Sequence, residues 1–144
     1  MKIISKKEFN QNDLIIEEGQ KGDEAYIIEK GLVEIIKDAR DGSQILLSEL
    51  SAGQVFGEMC LFDNKTRSAT VKAKTNVVLQ VIPRSIFTQY LEKTPPLIRL
   101  IIEVLLNRLR LSSELITELK MENEVYKNSR RTYDSCLKDL DYPT

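Results

Sequence analysis

The sequence contains no histidine and no tryptophan, and only two cysteines, Cys60 and Cys136. Without an imidazole the chain cannot assemble a Ser-His-Asp triad, a Cys-His dyad or a His-bearing zinc or iron site. Most familiar enzyme chemistries are therefore not expected, nor is a cofactor or metal. The two cysteines are far apart, form no CxxC motif and follow no signal peptide, so two reduced thiols in a cytoplasmic chain are expected. No apolar run is long enough for a membrane span. An excess of one charge is missing too: 21 basic against 22 acidic side chains leave a net charge of -1. Such a chain has no broad basic face for a phosphate backbone, and its one basic cluster is Lys127, Arg130 and Arg131.

What is present is a soluble domain's worth of sequence: 144 residues, 42% apolar and 30% charged. All six glycines, at 19, 22, 31, 42, 53 and 57, fall in the first 57 residues. Between them lie short runs rich in β-branched residues: Leu14 to Ile16, Ala25 to Ile28, Leu32 to Ile36 and Ile45 to Leu50. Ala69-Val71-Ala73 in alternation and Val77 to Ile82 continue the pattern. Strands separated by glycine turns predict a mainly β fold, an antiparallel β-sandwich or jelly-roll barrel. Asp41-Gly42 is the strongest hairpin signal, joining a strand that ends near Lys37 to one that starts near Gln44.

After Pro83 the period changes. Ser85 is positioned to cap a short helix from Ile86 to Lys93, and Thr94-Pro95-Pro96 supplies a cap and first turn for a second. From Leu97 no glycine or proline occurs until Pro143, which predicts one long helix. With Ile102 at a heptad a position, the a series is Ile102, Leu109, Ile116, Asn123, Arg130 and Leu137, and the d series is Leu105, Ser112, Leu119, Tyr126, Tyr133 and Leu140. This pattern suits a parallel two-stranded homodimer, with Asn123 setting register and Glu122 pairing with Lys127 across the seam. Leu100, Val104, Leu111 and Leu115 lie outside the series and are expected to pack on the chain's own barrel.

The chemistry is concentrated in Phe56-Gly57-Glu58-Met59-Cys60-Leu61-Phe62-Asp63-Asn64-Lys65-Thr66-Arg67-Ser68-Ala69-Thr70-Val71. It reads as a glycine turn, a very short helix and a polar loop that delivers Arg67 and Ser68 to the start of a strand. A guanidinium, a hydroxyl and backbone N–H groups suit a small phosphate. Glu58 would repel that phosphate unless it accepts from sugar hydroxyls while holding Arg67 in place. The implied ligand is a sugar phosphate. Cys60 is expected to be a small buried hydrophobe, and Asp63, Asn64 and Lys65 a solvated tip.

This segment closely resembles the phosphate-binding cassette of the cyclic-nucleotide-binding domain family, the sensor domain of catabolite activator protein and of protein kinase A regulatory subunits. Glu18-Gly19, Gly22-Asp23, Ala25-Tyr26-Ile27-Ile28 and Gly31-Leu32-Val33 resemble the family's early strands. The helices after Pro83 resemble its lid and dimer helices, and Met1 to Lys7 a shortened form of its leading helices. The resemblance implies a binding domain at 1–94 with its cassette at 56–71, then a lid and dimerisation helix with a tail at 95–144. It implies that Glu58 takes the ribose 2′-hydroxyl and Arg67 the cyclic phosphate, with Ser68 and the backbone of Gly57, Met59, Cys60 and Ala69 lining the same pocket. Thr66 replaces a common proline, and Cys60 a smaller residue. Serine at 68 is shared with bacterial activators, whereas kinase-type sites often have alanine there and cyclic-GMP sites favour threonine.

Ser112 and Ser113 resemble two adjacent hydroxyl residues of the activator's dimer helix that contact adenine, one from each subunit. The resemblance thus implies a cyclic-AMP sensor that passes its signal through the helix to an unidentified protein partner, with no DNA-binding segment of its own and no membrane anchor. A sensor of cyclic GMP or another cyclic nucleotide, and a ligand-free dimerisation scaffold, are the alternatives. A cupin-type enzyme shares the β architecture, but the lack of histidine argues against it.

Overall fold

The glycine-punctuated runs become two four-stranded antiparallel sheets in the computed structural model, which describes residues 5–139 and, among these, not the side chains of Tyr133 or of 136–139. The expected seam positions Tyr133, Leu137 and Leu140, together with Cys136, therefore lie outside the described residues. The strands are β1 (Ser5–Phe9), β2 (Leu14–Ile16), β3 (Glu24–Lys30), β4 (Val33–Asp38), β5 (Gln44–Leu50), β6 (Val55–Phe56), β7 (Thr70–Ala73) and β8 (Val77–Pro83). The helices are α1 (Met59–Asp63), α2 (Arg84–Glu92) and α3 (Pro96–Asp139). One sheet runs β1-β8-β3-β6 and the other β2-β7-β4-β5, giving a jelly-roll sandwich rather than a closed barrel.

Alternation along the strands sends one face of each sheet into a common core. Ile28, Val77 and Leu79 from one sheet meet Ile16, Val33 and Val71 from the other. Val33 and Leu79 are fully buried, each worth about 1.5–3 kcal/mol over an exposed side chain. The Asp41-Gly42 turn forms as expected between paired Asp38 and Gln44. Gly42 takes a φ of 83° there, and the Asp41 carboxylate accepts from the backbone N–H and hydroxyl of Ser43 at 2.9 and 2.6 Å.

Three expectations change. Residues 5–9 are not the remnant of a helix but an edge strand laddered to β8. Their lysines reach past β8 to β3: Lys6 pairs with Glu29 at 2.7 Å and Lys7 with Glu24 at 2.5 Å. Ser85 lies inside α2, which starts at Arg84 without a side-chain cap. Thr94 does not cap α3 either, because its hydroxyl donates back to the carbonyl of Tyr90 at 3.0 Å.

The long helix forms, but its faces are distributed differently from the expectation. Ile102, Leu106, Arg110, Ser113, Thr117 and Lys120 recur at helical spacing and lose exposure. Lys120 donates to the Leu46 carbonyl of β5 at 2.8 Å, which fixes this as the face turned to the sandwich. Leu100, Val104, Leu111 and Leu115 do not pack there and are 40–60% exposed. They lie about a third of a turn from the seam residues Leu105, Leu109, Ile116 and Leu119, which are exposed as well. Lys127 pairs within its own helix with Glu124 at 3.1 Å.

Candidate functional site

The site begins where β6 ends. Phe56 is buried against Tyr26, ring centroids 5.3 Å apart, and anchors the chain before it turns at Gly57. Gly57 adopts a φ of 73°, and a Cβ there would come within 2.8 Å of the Arg67 guanidinium. Only glycine meets both demands. Helix α1 follows and is pinned by buried Cys60 and Leu61, which pack with Ala25, Ile82 and Phe87. Phe62 adds an edge contact to Phe87 at 4.5 Å.

Arg67 comes back onto this turn. It is 8% exposed and donates to the carbonyls of Gly57 at 2.9 Å and Glu24 at 2.8 Å, and to the Cys60 sulfur at 3.0 Å. Among the described residues no carboxylate lies within ion-pairing distance of its guanidinium, so the buried cation is met by dipoles alone. Its backbone is tied down as well, its N–H donating to Gln20 and its carbonyl accepting from Gly19. Gly22 makes room for this arrangement: a Cβ there would fall 2.1 Å from the Arg67 Nε.

Glu58 stands at the N-cap of α1, partly exposed, and its carboxylate makes no hydrogen bond or ion pair among the described residues. The expectation that it holds Arg67 is therefore not met. Carbonyl oxygens do that work and leave the carboxylate uncommitted. Burial pushes the Cys60 thiol up from its ordinary value, against the pull of the Arg67 and Arg84 guanidiniums. It is the buried, protonated small side chain expected, with an added role as acceptor for Arg67.

A cavity of about 180 Å³ opens at this turn. Gly57, Glu58, Met59, Cys60, Arg67, Ser68, Ala69 and Ser113 all line it, above an apolar floor of Ile16, Ile35 and Val71. Eight of the nine expected site residues are thus brought together. The ninth, Ser112, points away: it is exposed, and its hydroxyl donates to the Arg108 carbonyl at 2.9 Å. Ser113 is the α3 residue that reaches the cavity. One step of 100° between neighbours on a helix separates their directions.

Further side chains hold the site without having been given that role from the sequence. Lys37 donates to the Ser68 carbonyl at 2.8 Å and is itself held by Glu18 at 3.4 Å. Because the peptide is planar and trans, fixing that carbonyl aims the Ala69 N–H the opposite way. Arg84 satisfies the end of α1, donating to the carbonyls of Cys60 at 2.6 Å and Leu61 at 3.2 Å, and pairs with Asp23 at 3.1 Å. A cation in the first turn of α2 opposes the helix dipole, the one local sign that it serves something else. Asp63, expected in solvent, pairs with Arg110 of α3 at 2.8 Å.

The arrangement offers a buried, counter-ion-free guanidinium on one wall and an unengaged carboxylate on another, under a serine hydroxyl. It can take a phosphate and neighbouring hydroxyls together, which is the chemistry of a sugar phosphate.

Comparison with known proteins agrees with this chemistry. The cyclic nucleotide-binding domain model matches residues 6–94. The chain is 33% identical over 88 residues to the cAMP-dependent protein kinase regulatory subunit of Debaryomyces hansenii, covering 61% of this chain and 19% of that one. It is 31% identical over 106 residues to the cAMP-activated global transcriptional regulator CRP of Salmonella typhimurium, covering 73% and 50%. Among solved structures, the cAMP-bound form of the EAL enzyme Bd1971 matches with a TM-score of 0.71 at 33% identity, over 89% of this chain and 34% of that one. The cGMP-bound form of the same enzyme gives 0.70 at 33% identity, over 89% and 35%. The chain spans half or less of the length of each of these proteins. Among the described residues, no helix is long and apolar enough to cross a membrane.

Proposed function

Because this chain belongs to the cyclic nucleotide-binding domain family, we propose that it is a cytoplasmic, non-catalytic sensor for cyclic AMP. The observation that carries this reading is Arg67, 8% exposed and bonded only to carbonyls and a thiol. A buried cation without a counter-ion is costly, and a ligand phosphate relieves that cost. The phosphate docks on Arg67, the Ser68 hydroxyl and the Ala69 N–H, while the ribose hydroxyl donates to Glu58. The base lies toward α3, where Ser113 supplies a hydroxyl.

The domain division follows the same logic. Residues 1–94 form the binding unit with its cassette at 56–71, and 95–144 carry the lid and dimerisation helix with its tail. The exposed seam of Leu105, Leu109, Ile116 and Leu119 supports a parallel homodimer. Ser112 lies on that seam, so in a dimer it is offered to the base held by the other copy. Ligand closes the base against α3, and the altered helix pair passes the signal to a protein partner. Cyclic AMP is preferred in this reading because Ser113 at the cavity and, in a dimer, Ser112 of the other copy would accept from its exocyclic amine. Two of the relatives are cAMP-responsive by name.

Calorimetric titration with cyclic AMP and cyclic GMP tests the proposal. Cyclic AMP is expected to bind more tightly, and Arg67→Ala to weaken it by about a hundredfold or more, since a buried phosphate without its cation loses several kcal/mol. Absence of heat with either nucleotide, or unchanged affinity in the variant, would contradict it.

A further inference from the structure

The helix above the cavity is tied to the cassette by a side-chain pair that neither the sequence pattern nor the ligand chemistry calls for. Arg110 Nη2 lies 2.9 Å from one carboxylate oxygen of Asp63 and 2.8 Å from the other. The two side chains are 15% and 26% exposed, so the pair is partly removed from water. By contrast, the ion pair that α3 makes with the sandwich among the described residues, Arg40 with Glu118, is 3.6 Å long with side chains 90% and 59% exposed. A pair so open to solvent contributes little.

Position gives the Arg110 pair its meaning. Asp63 is the last residue of α1, whose first residues, Met59 and Cys60, line the cavity. Arg110 lies three residues before Ser113 on the same helical face, and Ser113 is the α3 residue that reaches the cavity. The bond therefore ties the cassette helix to the stretch of α3 that covers the ligand site. Apolar burial holds that stretch only weakly: Leu109 and Leu111 on either side of Arg110 are 54% and 60% exposed, and Leu106, one turn earlier on the covered face, is half-buried.

We infer that the Arg110–Asp63 pair is the latch that keeps α3 over the pocket, with Arg110 a positioning residue for Ser113, and that it sets how long a bound nucleotide stays. The second half rests on the proposed ligand; the first does not. Breaking the latch frees the helix end of the pocket without touching any group that contacts phosphate or ribose. Its signature is a faster exit at unchanged entry.

Two readouts on the full chain test it. In ligand-free protein, backbone hydrogen exchange at 109–117 is expected to quicken about tenfold in Arg110→Met and in Asp63→Asn, the size of coupling of a partly desolvated pair. Amides of β8 serve as the control and stay as in wild type, which separates unlatching from unfolding. In stopped flow with fluorescently labelled cyclic AMP, both variants are expected to release ligand about tenfold faster. The double variant Arg110→Asp with Asp63→Arg, which restores the pair in reverse, is expected to recover both rates.

Wild-type exchange in the single variants, or no recovery in the double, overturns the latch even where nucleotide binds normally. Faster exchange in the single variants, recovered in the double, with no nucleotide bound by any form supports the latch and overturns the ligand reading instead.

Discussion

The cassette at 56–71 and the helix α3 face the same cavity but are held by opposite means. The cassette makes its own regular structure only over the five residues of α1. Much of the rest is fixed from outside: Arg67 by the carbonyl of Glu24 as well as that of Gly57 within the cassette, Ser68 by Lys37, and the end of α1 by Arg84. Helix α3 is the reverse, 44 residues of local hydrogen bonding with most of its leucines turned to solvent. The difference separates two tasks. Phosphate recognition needs donors already in place, because ordering them during binding would cost affinity. Signalling needs an element whose position a ligand can change at modest cost. In the proposed function the rigid half recognises and the loosely attached half reports.

Breaking the rigid half from outside is expected to give the largest effect. Gly22→Ala places a Cβ 2.1 Å from the Arg67 Nε, so the guanidinium must leave its seat, although residue 22 touches no ligand group in the proposed pose. Affinity for cyclic AMP, read by calorimetry, is expected to fall at least about tenfold with thermal unfolding little changed. An unaltered affinity would mean that preorganisation of Arg67 is unimportant.

The helix can be probed along its two exposed stripes. Leu109→Gln on the seam is expected to weaken self-association by about tenfold in sedimentation equilibrium. Leu111→Gln, equally exposed but off the seam, is expected to do much less. Equal effects would show that the heptad register is not the contact. Smallest is the change at the base: Ser113→Ala is expected to narrow the preference for cyclic AMP over cyclic GMP by about three- to tenfold, the worth of one hydrogen bond. Ser112→Ala is expected to do the same only where the protein is dimeric.

The same contrast explains what could be read from the sequence. Strands bounded by Gly19, Gly31 and Gly42 were legible because their apolar alternation is local and their turns need positive φ. Strand β1 was not, since Ser-Lys-Lys-Glu carries no apolar alternation and is held by backbone pairing to β8 and by lysines reaching β3. The cassette residues were legible as a contiguous motif with definite chemistry. Lys37, Arg84 and the Arg110–Asp63 pair were not, because each acts on a group 23 or more residues away. Periodicity revealed that α3 is apolar but not which stripe meets the sandwich. That depends on Lys120 and Arg110 finding Leu46 and Asp63, which no helical pattern encodes.

The central claim is that cassette and helix meet around one cyclic nucleotide. It is tested most directly by mapping backbone amide shifts of uniformly labelled protein as cyclic AMP is added, beside the Arg67→Ala variant. The account predicts large, saturable shifts at 57–60 and 67–69 and a separate cluster around Ser113, all lost in the variant. Shifts confined to residues outside the cavity, or none at saturating nucleotide, would contradict it.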